Sequence, residues 1–169
     1  RHGIGTFVKE HSIEQNFLLS NASLETINDI IALLELRISL ESEAVFLASE
    51  RRKQIHIDKM KVALSDFEMH ISSDVNDGTV KADYDFHIAI AEASGNQYFV
   101  DFLKYLGEKI IPRARVKSIE QSPENREEYL KAVHHDHMNI YQAIVDQDGL
   151  LARQMMRAHL SKSIKKFKQ

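Results

Sequence analysis

A carboxylate and an imidazole stand four residues apart at Asp83 and His87, inside a stretch whose apolar spacing is typical of a helix. This spacing places both side chains on one helical face, one turn apart. An acid and a neutral imidazole in that arrangement can bind one divalent cation. The same pair also occurs on helices without metal, so the prediction of a metal site needs further ligands.

Two later histidines can supply those ligands. His137 lies within an otherwise apolar stripe that runs from Leu130 to Ile144, and His159 lies on the last apolar helical segment. Burying an imidazole in such a stripe is costly unless the ring is bonded, either by an ordinary hydrogen bond or by a metal. If the helices are neighbours, the sequence predicts a site for Zn²⁺, or for Ni²⁺, Mn²⁺ or Fe²⁺, made by Asp83, His87, His137 and His159.

The remaining histidines are weaker ligand candidates. His135 points away from the apolar stripe, and His134 is borderline, as a residue behind the ligands or on the surface. The spacing of the others predicts solvated positions at His2, His11, His56 and His70.

Apolar residues recur at helical spacing along most of the chain, and few prolines and glycines interrupt them. This pattern predicts an all-α antiparallel bundle of six or seven helices around an internal metal and ligand cavity. The first helix is either one long helix or two with a kink, and Pro112 should kink the fourth. The predicted helices cover residues 23 to about 53, 55–72, 79–94 and 96–118, with a loop at 72–78. A further helix begins at Pro123 and includes Ile144, and after a turn at 148–149 the last helix runs to about Phe167.

Composition narrows the class of protein. The 169 residues suffice for one domain with a sizeable core. The absence of cysteine excludes thiolate metal sites and fits a reducing, cytoplasmic location. A net charge of −3 excludes an overall basic nucleic-acid binder, and no apolar run is long enough to span a membrane.

The first 22 residues differ from the rest. The chain begins with Arg, which suggests a part of a longer protein, and residues 1–8 have the glycines and the Thr-Phe-Val run of a turn and strand. A lone strand lacks a partner, so this segment is either a frayed tail or the end of a β-wing from an upstream domain. Residues 9–22 are interpreted as a linker, which leaves 23–169 as the helical domain.

Several motifs, in the expected order and over nearly the whole chain, resemble the effector-binding domain of the FadR branch of GntR-type bacterial transcription regulators. The opening residues 1–8 are similar to the tip and last strand of that family's winged helix-turn-helix. The helical motifs that carry the resemblance are Leu36-Arg37-x-x-Leu40-Glu41, Asp83-x-x-Phe86-His87 with Ala91 to Asn96, His137-x-x-Ile140-x-x-Ala143-Ile144, and Met156 to Leu160.

The resemblance implies an all-helical domain that binds a metabolite, often a small carboxylate. Many family members hold a metal with one Asp and three His, which here would be the same four residues that helical spacing selects. It also implies that residues 1–22 are a wing remnant and linker, and that operator DNA is bound by an N-terminal domain absent from this chain. A palindromic operator would require a homodimer.

Ligand-binding residues are predicted on the same basis. Arg37 is the first choice, because a guanidinium binds carboxylates in a bidentate fork and Arg37 matches the family's first-helix signature. Alternatively, Arg37 forms a salt bridge with Glu41 that contributes little if exposed. Arg113 and Arg115 are second choices or simply solvated, and Asn96 either donates to the ligand or caps the next helix. Lactate, pyruvate-like acids, aldonates and uronates all fit such a site.

Three functions remain open at this point. The favoured function is a non-enzymatic sensor domain of a transcription regulator. A metal-dependent enzyme acting on a small organic acid is the alternative, but it requires a general acid or base, and only Glu41 and Glu92 are available, without further support. A helical bundle with a purely structural metal is the third.

Overall fold

The computed structural model describes residues 26–72, 76–107, 111 and 123–168. Within these ranges it contains six helices and no strand, which confirms the predicted all-α bundle. The predicted wing remnant and linker at 1–22 lie outside the described residues. The helices are α1 (Ile27–Arg51), α2 (Gln54–Met69), α3 (Asn76–Ala93), α4 (Gln97–Leu106), α5 (Pro123–Val145) and α6 (Gly149–Phe167).

Helix α1 is a single helix of 25 residues without the kink that the sequence left open. It begins later than predicted because Thr26 and Asp29 form a capping box. The backbone N–H of Asp29 donates to Thr26 Oγ1 at 3.2 Å, and the backbone N–H of Thr26 donates to Asp29 Oδ2 at 3.0 Å. These two bonds satisfy N–H groups that a helix start leaves unpaired.

Helix α3 begins before its predicted start, so the predicted loop at 72–78 is shorter in the structure. Gly78 lies inside the helix and does not form a turn. A Cβ atom at this position would collide with the ring of His70. Gly78 therefore permits a close approach between α3 and the end of α2, which is a different use of glycine from the one that the sequence suggested.

Helix α4 is shorter than predicted. It ends at Leu106, because Gly107 adopts a left-handed conformation with φ of 62° at the C-cap. Glycine is favoured at such a helix end because it has no Cβ to clash with the backbone. The prediction that this helix continues to residue 118 is therefore wrong, and the predicted kink at Pro112 lies outside the described residues.

The packing of the helices brings the predicted site together. Helix α1 packs against both α3 and α6, and α5 packs against α6, while α2 covers α3 and part of α5. A core of buried apolar residues from α1, α2, α3, α5 and α6 surrounds this junction, and it includes Val45, Met60, Phe86, Ile140 and Met156. None of the described helices has the length and apolarity that crossing a bilayer requires.

Candidate metal centre

The structure brings the four predicted metal ligands to one buried point. Asp83 Oδ1 lies 3.3 Å from His87 Nε2 and 3.7 Å from His137 Nε2. The Nε2 atoms of His137 and His159 lie 3.3 Å apart. All four side chains are buried. The three histidines offer nitrogens that lie within 4.8 Å of one another, and Asp83 Oδ1 adjoins two of these rings.

The spacing of these atoms fits a divalent cation. Ligand atoms bound at 2.0–2.1 Å around a tetrahedral zinc ion lie roughly 3.3 Å from one another. Three of the six separations, at 3.3, 3.3 and 3.7 Å, are close to that value, and one carboxylate with three imidazoles is a donor set for Zn²⁺, Ni²⁺, Mn²⁺ or Fe²⁺. Two imidazole nitrogens facing each other can share only one hydrogen, whereas a cation can accept a lone pair from both.

Aromatic packing holds the central histidine in place. The His137 ring lies 4.7 Å from the ring of Phe86 and 5.6 Å from the ring of Phe67, measured between centroids. Phe86 precedes His87 on α3, and Phe67 is on α2. His137 therefore has a fixed place in the apolar interior, from which its Nε2 reaches the other ligand atoms.

Behind His87 stands a buried acid–base pair on α1. Arg37 Nε donates to Glu41 Oε1 at 2.5 Å, and the other oxygen of Glu41 contacts His87 Nδ1. The Arg37 and Glu41 side chains are only 1% and 4% exposed, so this is not the weak surface salt bridge that the sequence allowed. Burial alone would raise the pKa of Glu41, but the charge of Arg37 and the contact with His87 outweigh it and lower the pKa to about 2.

Behind His159 stands a second carboxylate, on α5. Asp136 Oδ2 lies 3.5 Å from His159 Nδ1, and Lys162 Nζ donates to Asp136 Oδ1 at 2.7 Å. Burial would raise the pKa of Asp136, but hydrogen bonds from His159 and Lys162 lower it. Desolvation lowers the pKa of His159, which favours the neutral imidazole that binds metals. His87 differs: burial lowers its pKa, but Glu41 and Asp83 raise it above its ordinary value.

Sequence reasoning did not identify either supporting carboxylate. Metal-binding histidines commonly donate their second ring N–H to such a group, which fixes ring orientation and tautomer. Glu41 could have been identified from the sequence, because Arg37 and Glu41 are charged residues four apart on the inward face of an otherwise apolar helix. Asp136 gave no such signal, because it lies beside His137 in the sequence but supports His159 in the structure.

A small cavity adjoins three of the four predicted ligands, Asp83, His87 and His159. It has a volume of about 10 Å³, which is room for one water molecule or ion. Arg37 therefore lies in the wall of the same cavity as the metal ligands, as its proposed role requires. The residues that line the cavity are Arg37, Asp83, His87, Ile111, Tyr129, Val133, His159, Leu160 and Ser163.

The other predicted ligand residues lie elsewhere. Asn96 is the N-cap of α4, where its Oδ1 accepts a hydrogen bond of 3.1 Å from the backbone N–H of Tyr98, and it does not line the cavity. The structure thus shows the capping role that the sequence left open, and ligand binding by Asn96 stays a prediction. Arg113 and Arg115 lie outside the described residues.

Three of the remaining histidines make contacts within the described residues. His134 is half-buried and stacks on Phe67, with 5.8 Å between ring centroids, whereas His135 is exposed as predicted. His56 and His70, predicted to be solvated, are partly buried. The backbone N–H of Lys53 donates to His56 Nδ1, and His70 Nδ1 lies 2.7 Å from the carbonyl oxygen of Asp66. His2 and His11 lie outside the described residues.

A larger groove, about 450 Å³, is open to solvent between α2 and α3. Its floor is apolar, with Val62 and Ala63, and Lys59 and Glu92 form an ion pair at its rim. None of the four metal ligands lines it. The chemistry of the described residues therefore favours the small buried cavity as the functional site.

Two known transcriptional regulators are similar in sequence to this chain. The HTH-type transcriptional regulator LutR of Bacillus subtilis is 30% identical over 95% of this chain and 73% of its own length. The Uxu operon transcriptional regulator of Escherichia coli is 28% identical over 95% of this chain. The chain spans 62% of that second relative, less than two thirds of it.

Solved structures share the fold. E. coli McbR/YncC matches 84% of this chain and 65% of its own, with a TM-score of 0.71 at 15% identity. A Streptococcus agalactiae GntR matches 85% of this chain and 62% of its own, with a TM-score of 0.64 at 18% identity. The family model of the FCD domain matches residues 32–162. The chain therefore belongs to the FCD domain family, the effector-binding domains of the FadR branch of GntR-type regulators that its motifs resemble.

Proposed function

We propose that this domain senses a small carboxylate, a hydroxy acid or sugar acid, at a divalent cation, most favourably Zn²⁺. The observation that carries the proposal is the convergence of three buried histidines, with Asp83 Oδ1 beside two of them, near the buried guanidinium of Arg37. The two relatives are named as transcriptional regulators, which supports a sensing role and not a catalytic one. The proposed metal ligands are Asp83, His87, His137 and His159.

A cation held by these residues would supply positive charge and open coordination positions for oxygens of the ligand. Arg37 would bind the ligand's carboxylate. Its Nε–H donates to Glu41, which holds the planar guanidinium in the wall of the cavity, and a guanidinium suits the planar shape of a carboxylate. The hydroxyl-bearing side chains of Tyr129 and Ser163 also line the cavity, and they can hydrogen-bond the hydroxyl groups of a hydroxy acid or sugar acid.

The size of the cavity supports a sensing mechanism. A volume of about 10 Å³ accommodates an ion or a water molecule but not an organic acid. Binding of an acid therefore requires the surrounding side chains or helices to move apart, and the ligand stabilises that more open arrangement. In a homodimeric regulator, the shift would alter the relative placement of the N-terminal DNA-binding domains and hence operator affinity.

An enzymatic alternative has less support. The same donor set can polarise a carbonyl group or activate water, but a proton-transfer group must also face the substrate. Glu41 is engaged on both oxygens by Arg37 and His87. Glu92 forms an ion pair with Lys59 in the surface groove and does not line the cavity. Neither Glu41 nor Glu92 is therefore placed to transfer a proton to or from a substrate in the cavity.

The proposal is tested by metal-dependent ligand binding. The purified chain is stripped with a chelator, reloaded with Zn²⁺, Ni²⁺ or Mn²⁺, and titrated calorimetrically with lactate, pyruvate, gluconate and galacturonate. We expect one metal per chain and binding of at least one acid by the loaded protein alone. Equal binding to the stripped protein, or no metal uptake, would contradict the proposal. Steady product formation would identify an enzyme instead.

A further inference from the structure

Glu41 lies between the guanidinium of Arg37 and the imidazole of His87, two groups of the candidate site. Its Oε1 accepts the hydrogen bond from Arg37 Nε at 2.5 Å, and its Oε2 contacts Nδ1 of His87. The carboxylate is 4% exposed, so neither contact is shared with bulk water. One buried side chain on α1 thus touches a metal ligand on α3 and the residue proposed to bind the ligand's carboxylate.

We infer that Glu41 is a positioning residue that orients the His87 imidazole and the Arg37 guanidinium together, and so couples metal binding to carboxylate binding. The inference rests on the function proposed above and goes beyond it. Neither the metal nor the carboxylate needs to touch Glu41 for it to act. Its effect on each passes through one neighbouring side chain.

The contact of Glu41 with His87 bears on metal binding. Nδ1 of His87 lies against Glu41 Oε2, and Nε2 lies on the side of Asp83. A proton on Nδ1, attracted by the carboxylate, leaves the lone pair of Nε2 for the metal. Without an acceptor at Nδ1, the ring can change tautomer or rotate, and either change removes a lone pair from the site. Loss of such a supporting acceptor typically weakens metal affinity by about 10- to 100-fold.

The contact of Glu41 with Arg37, whose side chain is 1% exposed, bears on carboxylate binding. The bond from Nε fixes the plane of the guanidinium, and therefore the direction of its terminal nitrogens. The negative charge of Glu41 also compensates the positive charge of Arg37, which lies in the cavity wall near the proposed metal ion. A carboxylate ligand then meets both positive groups in a fixed arrangement.

A purely electrostatic role for Glu41 makes different predictions. Shortening the side chain by Glu41→Asp keeps the charge, so electrostatics alone predicts nearly unchanged zinc affinity, whereas lost positioning predicts weaker binding. Neutralising the charge by Glu41→Gln makes the site more positive, so electrostatics alone predicts tighter carboxylate binding. Lost positioning predicts weaker carboxylate binding. The two explanations therefore predict opposite changes in carboxylate affinity for Glu41→Gln. For Glu41→Asp they predict losses of zinc affinity that differ in size.

The experiment compares the wild-type chain, Glu41→Asp and Glu41→Gln, with Glu43→Gln as the matched control. Glu43 lies on the same helix but is exposed and pairs with Arg153 at the surface. Zn²⁺ affinity is measured by competition with a chromophoric chelator, lactate affinity by calorimetry on zinc-loaded protein, and folding by thermal melting of each metal-free chain. We expect zinc affinity to fall about 10- to 100-fold in both Glu41 variants and to stay unchanged in Glu43→Gln.

The outcomes separate the inference from the proposed function. If the wild-type chain binds no zinc, both are overturned. If the wild type and both Glu41 variants bind zinc equally, the inference alone is overturned. It is equally overturned if Glu41→Asp matches the wild type, or if Glu41→Gln binds lactate more tightly than the wild type does. Should Glu41→Gln fail to fold, Glu41→Asp decides, because it retains the charge that compensates Arg37.

Discussion

The two sides of the candidate metal centre place a carboxylate behind an imidazole in different surroundings. On the α1 and α3 side, Glu41 is buried and divides its oxygens between His87 and the buried Arg37. On the α5 and α6 side, Asp136 is 17% exposed, stands 3.5 Å from His159, and pairs with Lys162, which is 65% exposed.

This difference shows how burial sets the importance of a supporting contact. Both carboxylates can fix the orientation of a metal-binding histidine. Removing one partner of a buried ion pair leaves an uncompensated charge in the interior, which is strongly destabilising. An exposed partner such as Lys162 is solvated in either case, so its loss costs little. We therefore expect the site to depend more strongly on the α1 side than on the α6 side.

The largest effect on zinc binding is expected for His137, which lies between the two sides of the site. His137→Ala removes the ligand whose Nε2 approaches both Asp83 and His159. We expect elemental analysis to find no stoichiometric zinc, and thermal melting to show no stabilisation by added zinc, since only a ligand bound by the folded state raises its stability. His135→Ala, an exposed neighbour on the same helix, is the control and should retain both properties. Unchanged zinc stoichiometry in His137→Ala would contradict the assignment.

The comparison itself is tested by neutralising each carboxylate in turn. Glu41→Gln should weaken zinc affinity by up to about 100-fold, and Asp136→Asn by nearer tenfold, within the range for supporting contacts. The physical reason is that Asp136 makes the longer contact and is partly solvated. Chelator competition on both variants measures the two losses. Equal losses, or a larger loss for Asp136→Asn, would break the proposed asymmetry.

Arg37→Ala tests whether carboxylate binding on the buried α1 side can be lost while the metal stays bound. It should lower lactate affinity by about tenfold, because a charged hydrogen bond contributes roughly 1.5 kcal/mol or more. Arg37→Ala leaves Glu41 as a buried charge, so we also expect a lower melting temperature, but all four metal ligands are intact and zinc should still bind. Calorimetry on zinc-loaded protein measures the effect, with the surface residue variant Arg153→Ala as control. Equal lactate affinity in Arg37→Ala and wild type would transfer the carboxylate role to another residue.

The smallest effect is expected at Lys162. Its ion pair with Asp136 is exposed, and such pairs contribute about 0.2–1 kcal/mol. Lys162→Ala should therefore leave zinc affinity nearly unchanged and lower the melting temperature only slightly. A loss of zinc affinity as large as that of Asp136→Asn would show that Lys162 holds the carboxylate in place, and the outer side of the site would need reinterpretation.

The sequence predicted the features that depend on spacing along one helix. The apolar periodicity indicated the all-α bundle, and the four-residue spacing of Asp83 and His87 placed both on one face. His137 stood out because an imidazole interrupts an apolar stripe. The structure brings these residues together with His159, although their binding of a metal remains a prediction.

Features that depend on packing between helices were less accessible. The contact of Asp136 with His159 joins two helices, and no spacing within one helix reports it. The pair of Arg37 and Glu41 was visible as a four-residue spacing, but its burial was not, and burial changes its importance from slight to large. The end of α4 depended on the conformation of Gly107, which could equally have lain inside a kinked helix.

The most direct test is the anomalous diffraction of a zinc-loaded crystal of this chain, recorded on both sides of the zinc absorption edge. We expect a single strong anomalous peak in contact with Asp83 Oδ1 and with Nε2 of His87, His137 and His159. A fully occupied zinc ion elsewhere, with no peak among these four atoms, would contradict it.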